Sequence, residues 1–253
     1  MKPSFLKALL FPPRCAACRK LMRPVENDGR LPGTLCPDCA AAFEAATRKE
    51  CRECTLPFYL CRCVPAAMQK AGVSEYVKVA PYMAGGEPRV PRKLVLFMKD
   101  RARRDVFAFA AGELKAGVAD ALRRSAARYQ REAQPLPDTI ITYLPRDRGT
   151  VRVMGHDQAR ELAKALSAVT GIPVREALTR VRKTEKQKNL SANERMENLR
   201  GAFAAKDVRG LRVLLVDDVV TTGAGMTNAA KTLYDAGAAE VLAVSFAYTP
   251  KLH

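Results

Sequence analysis

The stretch Val213-Leu214-Leu215-Val216-Asp217-Asp218-Val219-Val220-Thr221-Thr222-Gly223-Ala224-Gly225 decides how this chain reads. Four apolar residues, all Val or Leu, give way to two carboxylates and then to a Thr/Gly turn. That order suits a buried parallel strand whose C-terminal end carries two acids into a crevice. The turn behind it opens a helix. The first N–H groups of a helix lack intrahelical partners, so donors and dipole together attract phosphate. Acids for sugar hydroxyls beside a nest for phosphate describe a pocket for a ribose 5-phosphate. The plainer alternative is a buried strand ending in a solvated Asp pair, as in nucleotide-binding or receiver-like α/β domains. Neither G-x-x-x-x-G-K-[ST] nor G-x-G-x-x-G occurs, which removes the two commonest rival phosphate loops.

Outward from this stretch, strands and helices alternate. Residues 76–83 alternate as a strand does and lead into the Gly85-Gly86 turn. Residues 91–99 form a short amphipathic helix with Leu94, Val95, Phe97 and Met98, and the Ala/Leu-rich residues 106–127 continue helical. Pro135 and Pro137 break that pattern before a strand at 139–144. A helix over 155–169 shows Ala159, Leu162, Ala163 and Leu166 on one face, and Gly171-Ile172-Pro173 stops it. The signature strand, a helix over 225–236 and a last strand over 240–248 complete the chain. The expected class is α/β, a mainly parallel sheet flanked by helices on both faces.

All eight cysteines fall in the first 63 residues as four close pairs: Cys15/Cys18, Cys36/Cys39, Cys51/Cys54 and Cys61/Cys63. A C-x-x-C turn aims two thiolates at one cation, and two such turns complete a tetrahedral S₄ shell suited to Zn²⁺. Nearest-neighbour pairing gives two structural sites; interleaved pairing is the alternative. A segment this short has few apolar residues for a core, and metal binding supplies folding energy. An all-thiolate shell leaves no open position for catalytic water. No βαβ pattern surrounds the pairs, which argues against thioredoxin-like redox chemistry. The reading therefore divides the chain into a double zinc-ribbon domain at 1–70 and an α/β domain at 71–253.

With 48% hydrophobic and 27% charged residues, the chain has the composition of a globular protein and not of a disordered one. No stretch is long and apolar enough for a membrane span. The apolar patch at residues 5–11 contains Lys7, ends at Pro12-Pro13 and lacks a small-residue cleavage site. It reads as a docking helix or strand, and the expected compartment is the cytosol. The net charge of +17 makes polyanions plausible partners. Its densest cluster is Arg180, Arg182, Lys183, Lys186 and Lys188, opposed only by Glu185. That run has no apolar periodicity and reads as a flexible loop between strands.

The strand–turn motif resembles the phosphoribosyl pyrophosphate (PRPP) signature of type I phosphoribosyltransferases. The resemblance implies that Asp217 and Asp218 meet the ribose 2′- and 3′-hydroxyls, directly or through Mg²⁺. It implies that Thr221, Thr222, Gly223, Ala224 and Gly225 hold the 5-phosphate. The family usually has Thr or Ser where this chain has Gly225, so one hydroxyl contact is absent. Its pyrophosphate loop falls at Pro145, Arg146 and Asp147. A flexible loop that closes over the site falls on Arg182, Lys183 and Gln187. His156, by contrast, reads as a surface residue at a helix N-terminus.

Over nearly its full length the chain resembles the ComF family. The resemblance rests on Leu9-Leu10-Phe11-Pro12-Pro13-Arg14-Cys15, the paired cysteines, and Gly155-x-x-Gln158-Ala159-x-x-Leu162-Ala163. It extends to Arg180-x-Arg182-x-Thr184-x-x-Gln187-x-x-Leu190-Ser191, with Arg195, Asn198 and Gly201-Ala202-Phe203. One departure is that the family often has Arg-Gly-Phe-Asn-Gln where this chain reads Met154-Gly155-His156-Asp157-Gln158. The resemblance implies PRPP binding and a role in DNA uptake, natural competence or DNA processing. Single-stranded DNA and DNA-uptake or recombination proteins are then the expected partners. Two alternatives are an active phosphoribosyltransferase of nucleobase or nucleotide metabolism and a zinc-stabilised nucleic-acid-binding scaffold with a non-catalytic pocket.

Overall fold

Strand β5 (Arg212–Val220) lies inside a sheet of order β1-β6-β5-β2 whose three pairings are all parallel. Its companions are β1 (Val73–Pro81), β2 (Thr139–Tyr143) and β6 (Glu240–Tyr248). In this computed structural model, the described residues are 12–22, 33–83, 89–100, 103–182 and 198–250. Along β5, Leu214 and Val216 enter one hydrophobic core while Val213 and Leu215 enter another. This period-two alternation is that of a strand covered on both faces.

Helices α3 (Arg89–Asp100), α4 (Arg104–Arg131) and α6 (Gln158–Thr170) cover the first face. In α6 the buried apolar residues are Ala159, Leu162, Ala163 and Leu166, the face that periodicity predicts. Helices α2 (Ala66–Lys70) and α7 (Ala224–Asp235) cover the second face. The short antiparallel pair β3 (Leu178–Arg180) and β4 (Phe203–Ala205) joins them there.

The cysteine-rich segment is seated on the sheet by aromatic contacts. Phe43, on α1 (Pro37–Thr47), stacks on Phe246 of β6 at 5.9 Å and meets Phe109 edge-on at 5.2 Å. Burying one such ring contributes about 1.5–3 kcal/mol. Truncating Phe43 to Ala is therefore the single change best placed to loosen this seat.

At the other end of the strands, α4 is clamped by charge. Arg124 and Arg128 each donate to Glu75 of β1 at 2.8 Å. Arg212 of β5 donates to Ser125 and to Thr139, both at 2.9 Å. Much of the basic character of α4 is thus spent inside the molecule.

The sequence places no element between Tyr143 and the helix expected from residue 155, yet the structure forms α5 (Arg148–Met154) there. Asp147 caps it, accepting from the backbone N–H groups of Gly149 and Thr150. Gly155 ends it in the left-handed region at φ 76°. This helix buries none of its residues, so no hydrophobic period announces it. Among the described residues, no helix is long and apolar enough to cross a membrane. Residues 1–11, with the apolar patch, and 183–197, with Lys183 and Gln187, lie outside the described residues.

Candidate sugar-phosphate pocket and metal centres

The apolar run of β5 delivers its two aspartates at the C-terminal end of the sheet. Neighbouring strand residues point to opposite faces, and the two carboxylates follow that rule. Asp217 lines a cavity of about 120 Å³ together with Thr221, Thr222, Gly223, Ala224 and Gly225. Asp218 is 4% exposed, and its Oδ2 has no hydrogen-bond partner but lies 3.6 Å from Lys99 Nζ. The backbone N–H of Asp218 donates to Asp217 Oδ1 at 2.8 Å and fixes the outer carboxylate. Burial first, and the Asp218 carboxylate second, hold the Asp217 pKa well above the usual carboxylate range, with Lys99 opposing them. The diacid is therefore short of positive charge.

The loop beyond the diacid has the form expected of a phosphate cradle. Gly223 adopts φ 79° as the N-cap of α7, a conformation that an L side chain rarely takes. The amides of the first helical turn have no intrahelical partners, and that of Ala224 donates to Thr222 Oγ1 at 3.4 Å. The backbone of Gly225 is approached closely by Leu144: a Cβ there would stand 2.8 Å from Leu144 Cδ2. A side chain at Gly225 would thus require the end of Leu144 to turn away.

A second cavity of about 340 Å³ adjoins the first, since Arg180 lines both. Pro145, Arg146, Arg148, Arg152 and Arg160 line it, against Asp157 and Glu176. Asp157 accepts from the N–H groups of Arg146 and Arg160, and Glu176 accepts from Tyr143 Oη. Both acids are therefore engaged while the guanidinium groups surround the space. The Asp147 carboxylate is occupied in capping α5. Arg182 donates to the carbonyls of Asn198 and Arg200 at 2.7 and 2.8 Å, tying together the two described ends of the basic loop.

Lys99 is not among the site residues that the sequence suggests. No local pattern could have paired it with a residue 119 positions away. His156, expected at the surface, is partly buried, with its ring nitrogens 3.0 Å from Met154 O and 2.8 Å from Met98 O. Gln158, fully buried, donates to Lys99 O at 3.2 Å. The start of α6 thus holds the end of α3, and with it Lys99, in place.

The eight cysteines gather as two tetrads, Cys15/Cys18/Cys36/Cys39 and Cys51/Cys54/Cys61/Cys63, in the nearest-neighbour pairing. Within each, the sulfur atoms all lie within 4.8 Å of one another. Cys18 Sγ and Cys36 Sγ are 3.6 Å apart, and a tetrahedral Zn–S shell has edges near ~3.8 Å. Donor chemistry and spacing both fit structural Zn²⁺, and none of the eight forms a disulfide.

The parallel sheet, the diacid and the cradle loop define a class. The chain belongs to the phosphoribosyl transferase domain family, whose model matches residues 111–252. Among curated proteins it is similar to the DNA utilization protein YhgH of Salmonella typhi, 39% identical over 109 residues, 42% of this chain and 48% of the relative. It is also similar to Competence protein F of Haemophilus influenzae, 37% identical over 92 residues, 34% of this chain and 40% of the relative. The chain spans about half the length, or less, of these relatives. A purine phosphoribosyltransferase from Pyrococcus horikoshii Ot3 overlaps 53% of this chain and 83% of its own at 21% identity and a TM-score of 0.27, too distant to bear on the argument. The relatives and the two tetrads agree with the ComF resemblance drawn from the sequence.

Proposed function

We propose that this protein binds PRPP and that it also serves in the handling of DNA, the role that the name DNA utilization protein gives to one relative. One observation carries the reading: Asp217 and the loop from Thr221 to Gly225 line one cavity. Asp217 accepts from the ribose hydroxyls, Asp218 supports it from the opposite face, and the loop amides take the 5-phosphate. Pro145 and Arg146 face the diphosphate, where a guanidinium suits paired phosphate oxygens. Arg182, Lys183 and Gln187 belong to a loop that closes over the bound sugar and excludes water.

The pocket also fits Mg²⁺, because the Asp217 carboxylate lines the cavity with no ion-pair partner among the described residues, and Mg²⁺ is held by one or two carboxylates plus substrate oxygens. Bound with PRPP, the ion supplies charge neutralisation of the diphosphate. If turnover occurs, the diphosphate leaves the sugar C1 and a nitrogen base takes its place. The residues of this chain then act by positioning and by charge stabilisation. The arginine-lined cavity favours a polyanionic partner, and single-stranded DNA in the cytoplasm is the one we assign. DNA-uptake or recombination proteins are its proposed macromolecular company.

The test is a thermal-shift titration with PRPP and Mg²⁺. Wild type should be stabilised, and the Asp217→Asn/Asp218→Asn double variant should not. An equal response from both removes the sugar-phosphate assignment. Pyrophosphate release with a panel of bases then separates an enzyme from a sensor.

A further inference from the structure

Strand β1 carries a lysine at a position where a buried strand has no ordinary use for one. Lys78 is 2% exposed, and the partners of its ammonium among the described residues are carbonyls and ring faces. Nζ donates to Cys63 O at 2.8 Å and to Cys61 O at 3.4 Å. It stands 4.6, 5.7 and 6.0 Å from the ring centroids of Tyr76, Tyr248 and Phe58. A caged ammonium gains from ring faces, but dipoles and quadrupoles do not supply a countercharge. The two carbonyls that hold it belong to ligands of the second tetrad. Four thiolates around one dication carry a net charge of about −2, so the metal centre itself is the missing anion.

The same lysine sits in register with the diacid. Lys78 pairs with Ser245, and Ser245 pairs with Asp217, in one row across β1, β6 and β5. Tyr76 Oη and Ser245 Oγ are 2.7 Å apart, and Ser245 Oγ donates to Ala247 O. One wall of the ammonium's cage is thus bonded to the residue beside Asp217.

We propose that Lys78 is the built-in counter-cation of the second cysteine tetrad and couples metal occupancy there to the Asp217 end of the sheet. The first half stands on the cage and the tetrad alone; the second half rests on the sugar-phosphate reading above. With zinc bound, the buried ammonium is neutralised in place. Without it, the ammonium loses its countercharge, and Tyr76 and Tyr248, two walls of its cage, register the change. The first tetrad has its sulfur atoms in the core on the opposite face of the sheet. It is therefore outside this coupling.

The experiment is a chelator challenge of the zinc-loaded full chain, read with a chromogenic zinc indicator. Cys51→Ser identifies the release phase of the second tetrad. Lys78→Met should speed that phase about tenfold or more while leaving the other unchanged, because one partner of a buried charge pair is gone. Unchanged release from Lys78→Met overturns the proposal. Should that variant fail to fold, wild type decides, since the chain has 7 Tyr and no Trp to mask them. Removing the second zinc should then change the near-ultraviolet tyrosine spectrum, and an unaltered spectrum overturns the proposal. PRPP affinity of the second-zinc-depleted protein should fall about tenfold or more by the same loss. Undiminished affinity overturns the coupling, whereas failure of intact wild type to bind PRPP sinks the sugar-phosphate reading and leaves the zinc result to decide Lys78.

Discussion

Lys99 Nζ lies 3.6 Å from Asp218 Oδ2, so a lysine at the end of α3 answers the inner carboxylate of the diacid. The outer carboxylate, Asp217, has no such neighbour at ion-pair range among the described residues and is left for the cavity. One acid is thus engaged by the fold, and the other is open to the cavity. This division also explains why His156 and Gln158 reach back to the carbonyls of Met98 and Lys99: they hold the answering cation at its post.

Lys99→Met removes that cation and leaves Asp218 buried. Breaking a well-made buried pair costs about 3–5 kcal/mol. At 3.6 Å, and with the Lys99 side chain 27% exposed, a smaller loss of about 1–2 kcal/mol is expected. Urea unfolding measures it, and a variant as stable as wild type denies the pair any structural role.

Asp217→Asn should stabilise the ligand-free protein while abolishing the response to PRPP. The folded pKa of Asp217 lies above the unfolded one, so the native state binds the extra proton. Stability is then lost as pH rises from the ordinary carboxylate range through the folded pKa, because burial and the neighbouring carboxylate disfavour the charged form of Asp217. The amide removes this cost yet still accepts from the Asp218 N–H. A Tm increase at pH 7 of a few degrees, about 2–4 °C per kcal/mol at this chain length, is expected. It should vanish at acid pH, and a Tm drop at pH 7 would contradict the electrostatic argument.

Gly225→Ser tests why this chain lacks the family hydroxyl. The new Cβ would meet Leu144 Cδ2 at 2.8 Å, so Leu144 must turn away, and the single change should destabilise by about 1 kcal/mol, the low end of overpacking costs. It should also fail to improve sugar-phosphate binding. Adding Leu144→Ala opens the space, so the double variant should lose less stability than the two singles summed. Additive losses would show that Leu144 is not the obstacle.

Much of this was legible in the chain. The run from Val213 to Val216 announces its strand because a strand buried on both faces must be apolar, and the carboxylates mark where the strand reaches the end of the sheet. The last strand reads out at residues 240–248 for the same reason. The cysteine pairs reveal tetrads because metal chemistry fixes their spacing. What stayed hidden depends on distant packing. Lys99 looks like any surface lysine until α3 is laid against β5. The capping roles of Asp147 and Asp157 show only once α5 and α6 form. Lys78 looks like an error in a strand until the second tetrad is folded over it.

Acid sensitivity should map to the clamp at the opposite end of the strands. Burial raises the Glu75 pKa, but hydrogen bonds and charges from Arg124 and Arg128 outweigh it and leave the carboxyl below its ordinary value. A depressed folded pKa contributes stability above the unfolded value, and that contribution disappears as pH falls through the folded one. Glu75→Gln should therefore be less stable than wild type at neutral pH and converge with it toward pH ~3. Parallel stability curves across that range would remove Glu75 from the acid response.

The arginine-lined cavity makes a prediction about salt. Arg148 and Arg152 stand on α5, which buries no residue, so their replacement by Ala should leave the fold intact. For single-stranded DNA, each phosphate neutralised contributes about −0.7 to the slope of log K against log salt. Arg148→Ala/Arg152→Ala should thus flatten that slope by about 1.4 if both guanidinium groups contact phosphate. PRPP stabilisation should change little, since Arg146, and not Arg148 or Arg152, is the residue assigned to the diphosphate. An unchanged slope moves the strand elsewhere on the protein. A lost PRPP response with an unchanged slope would instead assign these arginines to the diphosphate.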